Sequence, residues 1–492
     1  MSDALARPAG AGKSAPPKAN AVVAVLALAG IVVSLMQTLV IPIVPELPKL
    51  LDAPASDTAW AVTATLLAAA VATPVVGRLG DMVGKRRMLM VSILLLVSGS
   101  LVCALADSLV PMIVGRALQG LSAAVVPLGI SILRDTVPSD KLAGSTAVMS
   151  ASLGVGGALG LPTAAFIADN WDWHILFWTS AALGIVSLLL VLMFVPESPR
   201  VGGRFDLVGS LGLSAGLVSL LLAVSKGADW GWTSGTTLSL GVAAVAILAA
   251  WGRWELKAKQ PLVDLRTTAK PQVLFTNLAS IALGFSMFAM SLVLPQLLQL
   301  PEQTGYGLGR SMLTVGLVLA PQGLVMMVMS AVSARITKAK GPKVTLLIGA
   351  LIVAAGYGLN ILLMSEVWHL VLVSCIIGAG IGFTYGALPA LIMGAVDPSQ
   401  TGAANSLNTL MRSLGTSFAS AIAGVIMAQM TTDFGDYALP SENGFKVVLA
   451  IGAGAALLAF AVASFIPKHR PAGAAAPTDG PAQPAEVTAA KA

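Results

Sequence analysis

Gly77–Arg87 reads G-R-L-G-D-M-V-G-K-R-R and joins two long apolar runs, Thr58–Leu79 and Met88–Ala106. Its glycines permit a tight turn. Asp81 is placed to cap the helix that follows, near that helix's positive N-terminal end. Lys85, Arg86 and Arg87 form a basic run directly after the turn. Both flanks stay apolar for longer than a water-facing helix tolerates, and the same pattern repeats along the chain.

The chain has 492 residues, of which 56% are hydrophobic and 11% charged, with a mean hydropathy of +0.86. A soluble globular protein carries about 25% charged residues. The apolar surplus falls in blocks of roughly twenty, the length that crosses about 30 Å of hydrocarbon at 1.5 Å per residue. A soluble helical protein would show a polar face at every turn, and Val91–Ala106 and Leu346–Met364 show none. Fourteen spans can be drawn, from Ala21–Val44 to Phe445–Ile466. The reading is an all-α integral membrane protein.

Charge gives the orientation. With the N-terminus inside, the inner connections carry Lys85, Arg86 and Arg87, then Arg200 and Arg204, then Lys257, Lys259 and Arg266, then Lys338, Lys340 and Lys343, and finally Lys468, His469 and Arg470. The outer connections carry Glu46, Asp52, Asp169, Asp229, Glu302, Glu366 and Asp436. The positive-inside rule then puts both termini in the cytoplasm. The net charge of +6 belongs to this topology, so no nucleic-acid partner is expected. Cys103 and Cys375 lie inside apolar spans, and His174, His369 and His469 are far apart. No metal-ligand spacing follows, no cofactor is called for, and an embedded catalytic His/acid cluster is absent. The first apolar run is too long for a cleaved signal peptide.

The chain also repeats itself. Pro42–Pro48 (P-I-V-P-E-L-P) resembles Pro295–Pro301 (P-Q-L-L-Q-L-P), and Arg78–Arg86 matches Arg335–Lys343, aligning Gly84 with Gly341. Ser145 through Gly154 matches Ser406 through Gly415. The separations grow slowly and in order, as small insertions would produce. Each matched pair lies an even number of spans apart, so two six-span halves share one orientation, the arrangement of alternating-access carriers. Spans seven and eight are an insertion. The expected division is a disordered cytoplasmic tail at 1–20, a bundle at 21–200, two linker spans with a loop at 201–270, a second bundle at 271–467 and a disordered cytoplasmic tail at 468–492.

Gly77–Arg87 resembles the loop signature of the major facilitator superfamily, and the whole chain is similar to that superfamily's fourteen-span drug:proton antiporters. In that family the loop locks the cytoplasmic side of the two halves when the protein opens outward. The resemblance implies gating roles for Gly77, Asp81, Gly84, Lys85 and Arg86, and a pairing of Asp135 with Lys85 or Arg86. In the second copy Lys338 stands where the acid should be, so any lock is asymmetric. R-A-L-Q-G (Arg116–Gly120) in span four resembles the pattern whose arginine is implicated in proton transfer in these antiporters. Arginine's pKa is too high to carry the proton itself, so it would tune a neighbour, or it is a structural arginine held by carbonyls. Small residues at Ser152, Gly156, Gly160 and Ala164 let a second helix approach span five, in a degraded form of the family's antiporter motif. The acid this family carries in span one is missing: Leu35–Ile41 has Met36 at that place, followed by Gln37.

No Asp or Glu lies in the middle of any span. Glu46, Asp81 and Asp135 are the few acids available for proton coupling, and Glu46, near the outer end of span one, is singled out with Arg116 as a coupling candidate. Met36, Gln37, Gln119, Phe288, Gln322, Tyr385, Asn408 and Arg412 are the residues expected to line a substrate cavity, with Asn408, Arg412 and Thr416 on a ridge facing the cavity or the opposite half. The expected function is proton-coupled export of hydrophobic or amphipathic small molecules, neutral or weakly acidic rather than strongly cationic, by a monomer in a bacterial plasma membrane. Import or uncoupled exchange of a metabolite is the nearest rival, and a non-transporting membrane sensor the rival from another class.

Overall fold

The computed structural model describes residues 19–467 except 45, 201, 435 and 436. Most of both tails therefore lies outside the described residues, as do Lys468, His469, Arg470 and Asp436. Among the described residues, fourteen helices are long and apolar enough to cross a bilayer. In the first half they are α1 (Ala19–Leu39), α2 (Trp60–Val83), α3 (Lys85–Ala104), α4 (Leu109–Thr136), α5 (Ser139–Asn170) and α6 (His174–Phe194). Then come α7 (Leu207–Trp230) and α8 (Gly235–Lys257). The last six are α9 (Pro271–Gln299), α10 (Met312–Lys340), α11 (Pro342–Leu362), α12 (Val367–Met393), α13 (Thr401–Gln429) and α14 (Glu442–Ser464).

The helices alternate in direction, so the even-numbered connections from α2–α3 to α12–α13 share one face with the start of α1 and the end of α14. That face carries most of the lysines and arginines of the connections, Lys49 and Arg310 lying opposite, and is called the basic face below; the other is the far face. On the far face, Thr431–Phe434 and Tyr437–Pro440 pair as a short antiparallel hairpin, a departure from an all-helical chain. Gly84 is the sole residue between α2 and α3, so the expected loop Gly77–Arg87 is mostly helix. Its backbone has φ 123°, and the matched Gly341 between α10 and α11 has φ 87°. Both conformations suit glycine and strain other residues.

Packing follows the repeat. In the first half α1 lies on α5 and α6, and α3 on α4 and α6; in the second, α9 lies on α13 and α14, and α11 on α12 and α14. The halves meet along two equivalent seams, α2 against α13 and α5 against α10. α7 covers the first seam: its Leu213, Leu217 and Leu221 pack with Ala70 of α2 and Leu407 and Leu410 of α13. α8 rests on α7, and only 11% of its apolar window is buried, which places it at the periphery. This is the fold of two parallel six-helix bundles with two inserted helices.

Candidate functional site

Asp81 is 1% exposed at the basic end of α2. It does not cap α3, whose N-terminus is Gly84 with no side-chain cap. It caps α13 in the other half instead. The N–H of Gly402 donates to Asp81 Oδ1 at 3.0 Å, and the N–H of Ala403 donates to Oδ2 at 2.9 Å. The residue preceding α13, Gln400, supplies no side-chain cap of its own. A carboxylate at a helix N-terminus meets unpaired N–H groups and the positive end of the helix dipole, and such charge-assisted bonds are the strong ones. Gly77, one turn back, gives the room: a Cβ there would collide with Ser406 and the carbonyl of Gly402.

The neighbouring charges converge on this contact. Lys85 Nζ lies 2.8 Å from Asp135 Oδ2 and 3.8 Å from Asp81 Oδ1. Arg86 turns away, donating to the carbonyl of Leu192 at 2.7 Å and sitting 3.7 Å from Glu197. Arg134, which the sequence reading passed over beside Asp135, also crosses between halves. It donates to Thr401 Oγ1 at 2.8 Å and to the carbonyl of Val396 at 3.3 Å. Asp397, outside the spans, is held below the usual carboxylate range by the hydroxyl and N–H of Ser399, and further by Arg134.

The α5–α10 seam is built differently. Gly316 approaches the backbone of Pro162, Gly323 approaches Gly154 and Ala158, and Ser330 donates to the carbonyl of Ala147 at 2.6 Å. Contact runs from the far third of both helices to the basic third. The small stripe read on α5, Gly156 and Gly160, instead faces α1. A second stripe on the opposite side of α5, Gly154–Ala158–Pro162, meets the other half. All side-chain hydrogen bonds between the halves, among the described residues, lie toward the basic face.

Arg116 of α4 is 2% exposed. Its Nε donates to the carbonyl of Ala61 at 3.3 Å, and its Nη1 to Gln119 Oε1 at 2.6 Å and to the carbonyl of Met36 at 3.5 Å. Gln119 passes the chain on to Ser100 at 2.9 Å, Ser100 to Ser180 at 2.6 Å, and Ser180 donates to the sulfur of Met36. Met36 and Gln119 thus point into the first bundle toward α3 and α6, not into a space between the halves. Glu46 is exposed at the start of the short helix Leu47–Leu50 on the far face, and no ion pair joins it to Arg116 among the described residues.

The second half brings two expected residues together. The guanidinium of Arg412 lies over the Tyr385 ring at 4.5 Å from its centroid, and the Tyr385 hydroxyl donates to the sulfur of Met287 at 3.1 Å. Phe288, next to Met287, is half-buried in the same bundle's core. Asn408 is turned elsewhere: it donates to Asn277 Oδ1 at 2.9 Å and Ser280 Oγ at 2.8 Å, both on α9. Thr416 likewise donates to the Gly284 carbonyl of α9. The ridge on α13 therefore packs inside its own half at these positions, because polar groups on a buried helix face find the nearest backbone or amide partner. Gln322 lies against Gly378 of α12, and Gln37 is exposed on α1.

Comparison with known proteins agrees with this architecture. The family model described as Major Facilitator Superfamily matches residues 26–420 and 341–491. The chain is 25% identical to the multidrug transporter protein MdtP of Bacillus subtilis (strain 168), over 75% of this chain and 68% of that protein. It is 27% identical to the uncharacterized MFS-type transporter YvkA of the same organism, over 84% of this chain and 91% of that one. Among solved structures, the human organic anion transporter MFSD10 (TETRAN) superposes with a TM-score of 0.64 at 17% identity, covering 91% of this chain and 100% of that one. The proton:xylose symporter XylE gives 0.63 at 16% identity, covering 92% and 96%. With two equivalent seams between parallel six-helix bundles and a family match over most of its length, the chain belongs to the Major Facilitator Superfamily and is a fourteen-span membrane transporter.

Proposed function

We propose that this transporter exports hydrophobic or amphipathic small molecules across a bacterial plasma membrane in exchange for protons, with the basic face and both termini in the cytoplasm. The observation that carries the reading is the bond from Asp81 of one half to the first N–H groups of α13 in the other. It holds the basic face shut while the far face has no polar tie between halves among the described residues. Orientation rests on the basic residues of that face. Export is supported by the names of relatives such as MdtP and multidrug resistance protein 3 of B. subtilis. The division into bundles at 21–200 and 271–467 follows the same reading, as does the monomer.

A coupling carboxylate must exchange its proton with both sides in turn. Asp81 and Glu255 are the buried carboxylates among the described residues, and Asp81 is the one that touches both halves. It is the first group to test. A second reading, an uncoupled carrier, is favoured by Arg116, whose guanidinium is occupied by two carbonyls and Gln119.

Dye-reported proton movement in everted vesicles, challenged with neutral, anionic and cationic lipophilic compounds, separates the two. Proton release on adding a compound, abolished by Asp81→Asn, supports antiport. Accumulation of a compound without proton movement supports the uncoupled carrier.

A further inference from the structure

Two cations sit at least seven residues from either end of a spanning helix, Arg116 in α4 and Arg412 in α13. The first has three acceptors. Arg412 has none: no carboxylate lies within ion-pair distance of it and no side-chain hydrogen bond leaves it among the described residues, and its one partner is the face of Tyr385. It is half-buried, so its N–H groups are neither sealed in the core nor free in water. A charged side chain deep in the membrane is costly and marks a substrate or ion path by default. An aromatic face offsets part of that cost and leaves the donor edge unused.

The place is as informative as the charge. Arg412 is six residues beyond Ser406, the residue against Gly77, and so about 9 Å from the closed end of the α2–α13 seam toward the far face. It lies where α9, α12 and α13 meet, beside Met287 and Tyr385. A guanidinium presents a planar fork that matches a carboxylate or sulfonate in two parallel bonds. Flexible methionine beside it suits an apolar body of variable shape.

We propose that Arg412, seated on Tyr385, binds the anionic head of the transported molecule, so that the substrates are lipophilic organic anions. This deepens the export reading and rests on the chain being a carrier, but not on export or proton coupling.

The test uses two probes that differ by one sulfonate group, anilinonaphthalene sulfonate and its uncharged parent phenylnaphthylamine, with tetraphenylphosphonium as the cation. Affinity is measured by titration calorimetry on the purified full chain, and transport in proteoliposomes. Wild type binds the sulfonate about tenfold more tightly than the parent. Arg412→Gln removes that preference by weakening the sulfonate about tenfold, and an unchanged melting temperature shows that the variant is folded. Arg412→Lys keeps part of the preference, because a point charge remains without the fork. Absent or equal binding of the sulfonate in wild type, or a preference that survives Arg412→Gln, overturns the proposal. Export of the parent or the cation but not the sulfonate leaves the export reading standing and removes this one. Arg412-dependent sulfonate binding without export does the reverse.

Discussion

The two seams between the halves occupy equivalent places in the repeat and are made of different chemistry. Along α5–α10 the backbones approach at Gly154, Gly316 and Gly323, over most of the length of both helices. Along α2–α13 the decisive contact is at one end, where Asp81 holds two N–H groups of α13 beside Lys85 and Asp135. At the equivalent place in the second copy α10 carries Lys338, and α5 begins after Pro138 with no side-chain cap. Close packing is lost gradually as helices separate, whereas a charge-assisted cap is either made or broken. On the proposed reading of the chain as an alternating-access carrier, the difference gives α5–α10 the part of pivot and α2–α13 that of latch.

The largest effect is expected from breaking the latch. Asp81→Ala leaves the N–H groups of buried Gly402 and part-buried Ala403, and part of the Lys85 charge, unmatched, a loss of about 3 kcal/mol that shifts the closed–open equilibrium roughly a hundredfold. Ser406 is fully buried beneath it. A Ser406→Cys reporter, in a background with Cys103 and Cys375 replaced by Ser, should react with a polar maleimide about a hundred times faster when Asp81 is Ala. An unchanged rate would mean that the seam is held by packing after all.

The pivot should fail in a different way. A Cβ at Gly323 would overlap Ala158 and the carbonyl of Gly154, and overpacking costs about 1–3 kcal/mol. Gly323→Ala should lower the melting temperature of the purified protein, while Gly424→Ala, which has open space around its Cα, should not. Equal effects would remove the special status of the α5–α10 contact.

A third comparison sets Arg116 against Arg412. Arg116→Lys forfeits the bond to Gln119 or one to a carbonyl, about 1 kcal/mol each, and is expected to reduce stability with little change in the pH dependence of transport. A lost pH dependence at unchanged stability would return Arg116 to the proton path. The smallest effect belongs to Ser330→Ala, which removes one hydrogen bond to Ala147 from a seam already packed. It should change melting by no more than the loss of about 1 kcal/mol allows.

Much of this was legible in the chain itself, for reasons the residues explain. Span positions follow from the length of the apolar blocks, and the repeat from pairs such as Gly84 and Gly341, whose positive φ values need glycine in both copies. The latch was half visible. Asp81 stood out as an acid among apolar residues, but its partners are backbone N–H groups of Gly402 and Ala403, which carry no side-chain signature. Arg134 was hidden by its neighbour Asp135, although both bear charge at a helix end. The cavity assignments depended on which of several inward faces a residue occupies, which helical spacing does not say. Met36, Gln119 and Asn408 are all buried polar or soft groups, yet each is turned into its own bundle. The stripe read on α5 was the one at Gly156 and Gly160, which match a known pattern and turn out to face α1, while Gly154, Ala158 and Pro162 match none.

The most direct test of latch and pivot is turnover with each seam cross-linked in turn. Arg134→Cys with Thr401→Cys places two sulfurs across the latch, at positions joined by a hydrogen bond, and Gly154→Cys with Met326→Cys places two across the pivot, where a Cβ at 154 lies 3.3 Å from Met326 Cγ. In proteoliposomes carrying a compound that wild type moves, oxidation should stop transport by the latch pair and reductant should restore it. The oxidised pivot pair should keep transporting. Transport that survives the latch cross-link, or stops equally with the pivot cross-link, would contradict the account.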